Sequence, residues 1–162
     1  MPTSAKNKTT VTAEPGKQEL FIVREFDAPR ELVYQAHIDP KLYVQWLGPH
    51  GYEMILKEFV PVSGGKYRYV HKDKEGNEYG FHGTFHAMTI DSMIQTFEFD
   101  GYPGHVSLDC MTLEELPNSR TRATIHSIFQ SVADRDGMVQ NGMEKGVSEG
   151  YERLDDILAG MK

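Results

Sequence analysis

Between residues 52 and 130 no connection is long enough to carry the chain back across a sheet. Short runs rich in branched and aromatic side chains alternate there with turn-forming residues at 61–65, 74–77, 89–92, 100–104 and 117–119. A parallel crossover needs a dozen or more residues, so six consecutive strands must pair antiparallel as a meander. Upstream, residues 18–27 (QELFIVREFD) read as a strand. Asp27 then stands as a helix cap, Pro29 takes a first-turn position, and residues 30–37 continue as helix. Asp39-Pro40 restarts a short helix through Trp46, and Gly48-Pro49 stops it. From Ser131 to about Ala159 the pattern is helical again. Strand, two short helices, six-stranded meander and long C-terminal helix make an α+β fold rather than α/β.

The 162 residues are enough for one domain and for a core that needs no disulfide or structural metal, since a chain of this length buries roughly 70% of its extended surface. Residues 1–17 lack periodicity and read as a disordered lead-in, leaving 18–162 as a single domain. A net charge of −7 without basic clusters argues against nucleic acid or an anionic membrane as partner. One cysteine, Cys110, no apolar run of spanning length and no signal-like N-terminus predict a soluble cytoplasmic protein. In such a chain the acceptor-like Asn7-Lys8-Thr9 is a chance match.

The hydrophobic pattern also chooses the register. A three-residue loop at 75–77, with Asn77 left-handed, sets Tyr67 against Phe85, Tyr69 against Gly83 and His71 against Phe81. A three-residue loop at 90–92 sets Phe85 against Phe97 and Gly83 against Phe99. Tyr67, Tyr69, Phe81, Phe85, Phe97 and Phe99 then point inward, while Lys66, Arg68, His82, Thr84 and His86 point outward.

In the C-terminal helix, Val139, Met143, Val147, Leu154, Ile157, Leu158 and Met161 share one apolar arc. Gly146 and Gly150 fall inside it and Gly142 at its edge, although each glycine costs about 1 kcal/mol against alanine in a helix interior. Either the helix backbone presses on its neighbours there, or the missing side chains leave room between helix and sheet.

These pieces match a known pattern. The segments FIVREFDAPRELVYQA, WLGP (46–49), VSGGKYRY (62–69), HGTF (82–85) and NGMEKGVSEGYERLDDIL stand in an order and spacing that resemble the START-like (SRPBCC, helix-grip) superfamily, in the branch of homologues of the heat-shock-chaperone ATPase activator. The resemblance spans 18–160. It implies a curved antiparallel sheet gripping the long C-terminal helix over a hydrophobic cavity, and it favours the cavity reading of the glycines. It also brings in a stress-response, chaperone-modulating reading, alongside binders, cyclases and hydroxylase subunits. Many relatives carry a second tryptophan where this chain has Leu47.

Catalytic signatures are missing: there is no GxSxG, GxGxxG, Walker loop or HExxH. His82 and His86 sit about 13 Å apart along a strand, too far to share one ion. Cys110 has no activating neighbour in the sequence and reads as a small hydrophobe. Trp46 is either a core residue whose indole N–H needs a partner, or a flat cavity wall.

The expected function is binding of a small apolar or aromatic molecule between sheet and helix, without obligatory catalysis, cofactor or metal. Its walls are Trp46, Tyr67, Tyr69, Phe81, Phe85, Phe97, Phe99, Met143 and Val147, beneath Gly146 and Gly150, with the tyrosine hydroxyls, Gln95 and His71 as polar anchors. A chaperone-modulating interaction domain and a cyclase or hydrolase using His71 are the alternatives. The protein is expected as a monomer or homodimer.

Overall fold

The computed structural model describes residues 7–161. The chain runs β1 (Thr10–Thr12), β2 (Glu19–Phe26), α1 (Arg30–Ile38), α2 (Pro40–Trp46), then β3 (Glu53–Phe59), β4 (Lys66–Lys72), β5 (Glu78–Thr89), β6 (Ser92–Phe99), β7 (Val106–Leu116) and β8 (Arg120–Ile128), and ends with α3 (Val132–Gln140) and α4 (Met143–Met161). All eight strands form one antiparallel sheet in the order β1-β2-β8-β7-β6-β5-β4-β3. The six-strand meander and the α+β class are as the turn spacing requires.

Part of the expected lead-in is ordered: β1 pairs with β2 from Thr10–Val23 to Thr12–Phe21. Asn7, buried, donates to Asp27 at 2.9 Å and accepts from Arg120 at 3.1 Å. Residues 1–6 of that segment lie outside the described residues. Asp27 is not the cap of α1. Pro29 holds the cap position without a side-chain bond, and Asp27 Oδ1 instead accepts from Arg120 Nε at 2.8 Å. Asp39 does cap α2, accepting from the Lys41 amide at 2.9 Å.

The register differs from the expected one by two residues, which preserves which side chains face in. Tyr67 pairs with Gly83, Tyr69 with Phe81 and His71 with Tyr79. The reason lies in the turn. Asp73 closes it by accepting from the amides of Glu75 and Asn77 at 3.0 and 2.8 Å and from Asn77 Nδ2 at 3.0 Å, and Gly76 rather than Asn77 has positive φ. Phe81 pairs with Phe99 and Phe85 with Gln95. A bulge between Phe85 and Ala87 then brings Thr89 opposite Ser92, which leaves two residues in the turn instead of three.

The single C-terminal helix expected from sequence is two. Gly142, at φ +80°, breaks it between the end of α3 at Gln140 and the start of α4 at Met143. The backbone of α4 lies nearest α2 and α1 rather than the sheet. Its second half is sealed, with Gly150, Tyr151, Leu154 and Leu158 buried. A buried ion pair fixes that half: Arg24 of β2 meets the two Asp155 oxygens at 3.1 and 2.6 Å.

Candidate functional site

The pairing of β5 through β8 puts Phe85, Gln95, Asp109 and Ser127 in one row across the concave face, with Phe97 and Ser107 paired beside it. Burial along this face is uneven. Tyr67, Tyr69 and Phe85 are sealed at 2%, 5% and 3% exposure, whereas Phe81, Gln95, Phe97, Phe99 and Asp109 stay half-buried although they face in. On α4 the division repeats: Met143 and Val147 are partly buried, and the turns beyond Gly150 are closed. The concave face is thus packed shut towards the end of α4 and less completely covered near its start.

Four tyrosines converge on this face: Tyr43 from α2, Tyr67 and Tyr69 from β4, and Tyr151 from α4. Tyr67 donates to the Thr96 carbonyl at 2.6 Å. It can lie that close because Gly83 has no side chain, and a Cβ there would collide with both the Thr96 carbonyl and the Tyr67 hydroxyl. The hydroxyls of Tyr43, Tyr69 and Tyr151 make no hydrogen bond to a described protein group, although their residues are only 8%, 5% and 4% exposed. They are not among the fully sealed, unpaired polar atoms either, so each reaches accessible space. Burial holds all four hydroxyls protonated, and the Asp109 charge adds to the effect.

Asp109 is the residue that sequence reasoning missed. Desolvation pushes its carboxyl up to about 6, opposed by hydrogen bonding to Ser127 and Ser107. No cationic side chain among the described residues pairs with it. Arg24, a buried cation of β2, is committed to Asp155. Tyr43 and Tyr151, from α2 and α4, were also outside the expected set.

The expected residues divide. Tyr67, Tyr69, Phe81, Phe85, Gln95, Phe97 and Phe99 share the concave face. His71 also points in, against Tyr69 and Phe81 at ring distances of 5.0 and 5.4 Å, with its Nε2 buried and unpaired. Desolvation, then the nearby Arg153 charge, lowers it to about 4, so it is neutral at physiological pH. Trp46 is core: its indole donates to the Ala36 carbonyl at 3.0 Å, and the ring stacks on Tyr151 at 5.9 Å. The glycines do not act together. A Cβ on Gly150 would sit 2.8 Å from the Trp46 carbonyl, so its bareness lets α4 approach α2. Gly146 faces Pro49 at ordinary contact distance, and Gly142 belongs to the turn.

On the outer face, His82 meets Asp100 and Glu98 at 2.6 and 3.3 Å, His86 is exposed, and Cys110 pairs across from His126. Two shallow depressions, of about 280 and 300 Å³, are present: one along 106–108 and 128–130, sharing Ser107 with the concave face, the other between residues 13–16 and α3. What distinguishes the concave face is therefore its chemistry rather than its volume. No group of three or more His, Cys, Asp or Glu among the described residues could hold a metal ion.

Residues 27–159 match the family described as Activator of Hsp90 ATPase homolog 1-like protein. The chain belongs to that family. Solved structures of similar fold include a protein from Rhodobacter sphaeroides (25% identity, 94% of this chain and 99% of the other, TM-score 0.85) and one from Arthrobacter aurescens (26%, 93% and 91%, 0.83). A family protein from Silicibacter pomeroyi shares the fold at 20% identity, covering 89% and 99% with a TM-score of 0.71. No curated protein matches the chain. Membership of the Activator of Hsp90 ATPase homolog 1-like family, with its helix-grip architecture, suggests a ligand-binding or chaperone-related domain. No helix among the described residues is long and apolar enough to cross a membrane.

Proposed function

We propose that the chain binds a small, largely aromatic or apolar molecule on the concave face, beneath the first half of α4. The observation that carries this reading is the set of three nearly buried tyrosines, Tyr43, Tyr69 and Tyr151, whose hydroxyls lack protein partners but reach accessible space. Buried polar groups are normally paired, and groups left open in an aromatic setting are the usual polar contacts of a ligand site. Phe81, Phe97 and Phe99 supply apolar surface that a ligand would take out of water at roughly 25 cal/mol per Å², before the costs of association. Among the described residues no histidine on this face is oriented by a carboxylate: His71, at its edge, is neutral with an unpaired Nε2, so binding is favoured over catalysis.

Titration with the neutral fluorescent probe N-phenyl-1-naphthylamine tests the reading. Saturable enhancement is expected with the native chain, and Val147→Trp, which fills space below α4, should weaken it at least about tenfold while circular dichroism stays native. Absence of saturable binding, or equal affinity in the two proteins, overturns it.

A further inference from the structure

Asp109 is an unusual group to find facing an aromatic interior. An ionised carboxylate taken out of water is costly unless a cation or several donors compensate it. Asp109 is half-buried, and the protein groups that oppose the upward push on its carboxyl are the hydroxyls of Ser127, its cross-strand partner, and Ser107, neither of which carries charge. Arg24, buried on β2, is tied in a two-point contact to Asp155 and has no free charge to offer. Asp109 stands in the row of Gln95 and Phe85, the Phe85 ring lies 5.1 Å from Tyr67 and Tyr67 stacks on Tyr69 at 5.9 Å, and the electrostatic effect of the carboxylate reaches these tyrosines together with Tyr43 and Tyr151. An aromatic ring presents a negative face, so a cation among several rings and a carboxylate is stabilised by all of them together. An anionic ligand would meet repulsion from Asp109. A neutral one would leave the carboxylate uncompensated.

We infer that the concave face selects a hydrophobic ammonium: an aromatic or apolar body carrying a protonated amine that lies against Asp109 within the tyrosine cluster. The inference rests on the binding function proposed above and names the ligand class for the same face. Its geometry assigns each part a role. The half-buried Phe81 and Phe97 take the apolar body, Asp109 takes the ammonium, and the unpaired tyrosine hydroxyls accept its remaining N–H groups.

Three isosteric probes distinguish the charge classes by isothermal titration calorimetry on the full chain: 1-naphthylmethylamine, cationic at pH 7.5, 1-naphthalenemethanol, neutral, and 1-naphthoate, anionic. The amine should bind at least about tenfold more tightly than the alcohol, and the naphthoate most weakly. In Asp109→Asn the ratio of amine to alcohol affinity should fall to near one. The native protein gives a second measurement. Between pH 7.5 and 5 the amine stays protonated and Asp109 takes up its proton. Tyr43, Tyr67, Tyr69 and Tyr151 are held protonated and His71 stays neutral until about pH 4, while Asp155, whose carboxyl burial also raises, is engaged by Arg24 and is unchanged in Asp109→Asn, which serves as the control. The amine-to-alcohol ratio should therefore shrink as the pH falls. An amine no tighter than the alcohol, or a preference that persists both in Asp109→Asn and at pH 5, overturns the inference while leaving the binding reading intact. Failure of all three probes to bind, together with the fluorescent one, overturns both.

Discussion

Asp109 pits stability against recognition. Its carboxyl titrates near 6 in the folded chain against an ordinary value of 3.8, so folding is penalised wherever the group is ionised, fully above about pH 6, and the penalty disappears as the pH falls towards 3.8. Asp109→Asn should therefore raise stability by about 1–3 kcal/mol at pH 7.5, measured by urea unfolding, with little gain left at pH 4. His71 runs with the opposite sign. Held at about 4 in the fold against 6.5, it contributes stability above pH 6.5 that is lost as the pH falls towards 4. Its imidazole resonances should accordingly show no titration between pH 7 and 5. The inward position of His71 could be read from its alternation with Tyr67 and Tyr69, whereas that of Asp109 could not, and for Asp109 the cause is specific. At the start of β7 the apolar alternation is inverted: Leu108, 37% exposed, faces out, while Ser107 and Asp109 face in. Hydrophobicity read from 106–111 assigns the wrong phase, and only the pairing with Gln95 and Ser127 corrects it. The tyrosines and phenylalanines of β4 to β6 could be read because their alternation is unbroken.

Among the elements, α4 separates what sequence can and cannot disclose about a glycine. Its amphipathic arc was plain, but three glycines at similar spacing turn out to have three different environments. Gly150→Ala should cost about 2–4 kcal/mol, because the added methyl meets the Trp46 carbonyl at 2.8 Å and α4 must move off α2, outweighing the roughly 1 kcal/mol of helix propensity gained. Gly146→Ala meets only Pro49 at 3.8 Å and should stabilise by up to about 1 kcal/mol. Both values are readable from thermal unfolding compared with the native chain. The break at Gly142 was hidden because a residue with positive φ and one merely tolerated in a helix look alike in a sequence. The strand turns showed a similar limit. Their positions were marked by Gly, Asn and Asp, but whether a loop holds two, three or five residues depended on the Asp73 hydrogen bonds and the bulge after Phe85.

At the scale of the molecule, the helix-grip arrangement is held by few long-range fasteners. Arg24 and Asp155 join the first long strand to the last helix across 131 residues of chain. Asp155→Asn leaves a buried guanidinium without its counter-charge and should cost about 3–5 kcal/mol in urea unfolding, whereas replacing both partners by apolar residues should cost much less. Arg153 ties the same half of α4 to the backbone after α2, donating to the carbonyls of Trp46 and Gly48. Among the described residues no ion pair or side-chain hydrogen bond ties 143–147 to another element, and the first such tie along α4 is Glu149, which accepts from the His50 amide at 2.8 Å. That imbalance gives the last helix an anchored end and an unanchored one, hinged at residue 142. A molecule entering the interior need not disturb the anchored end, and residues 143–147 should yield before the rest of the fold. Amide deuterium uptake should accordingly be fastest in that stretch and slow when the interior is filled.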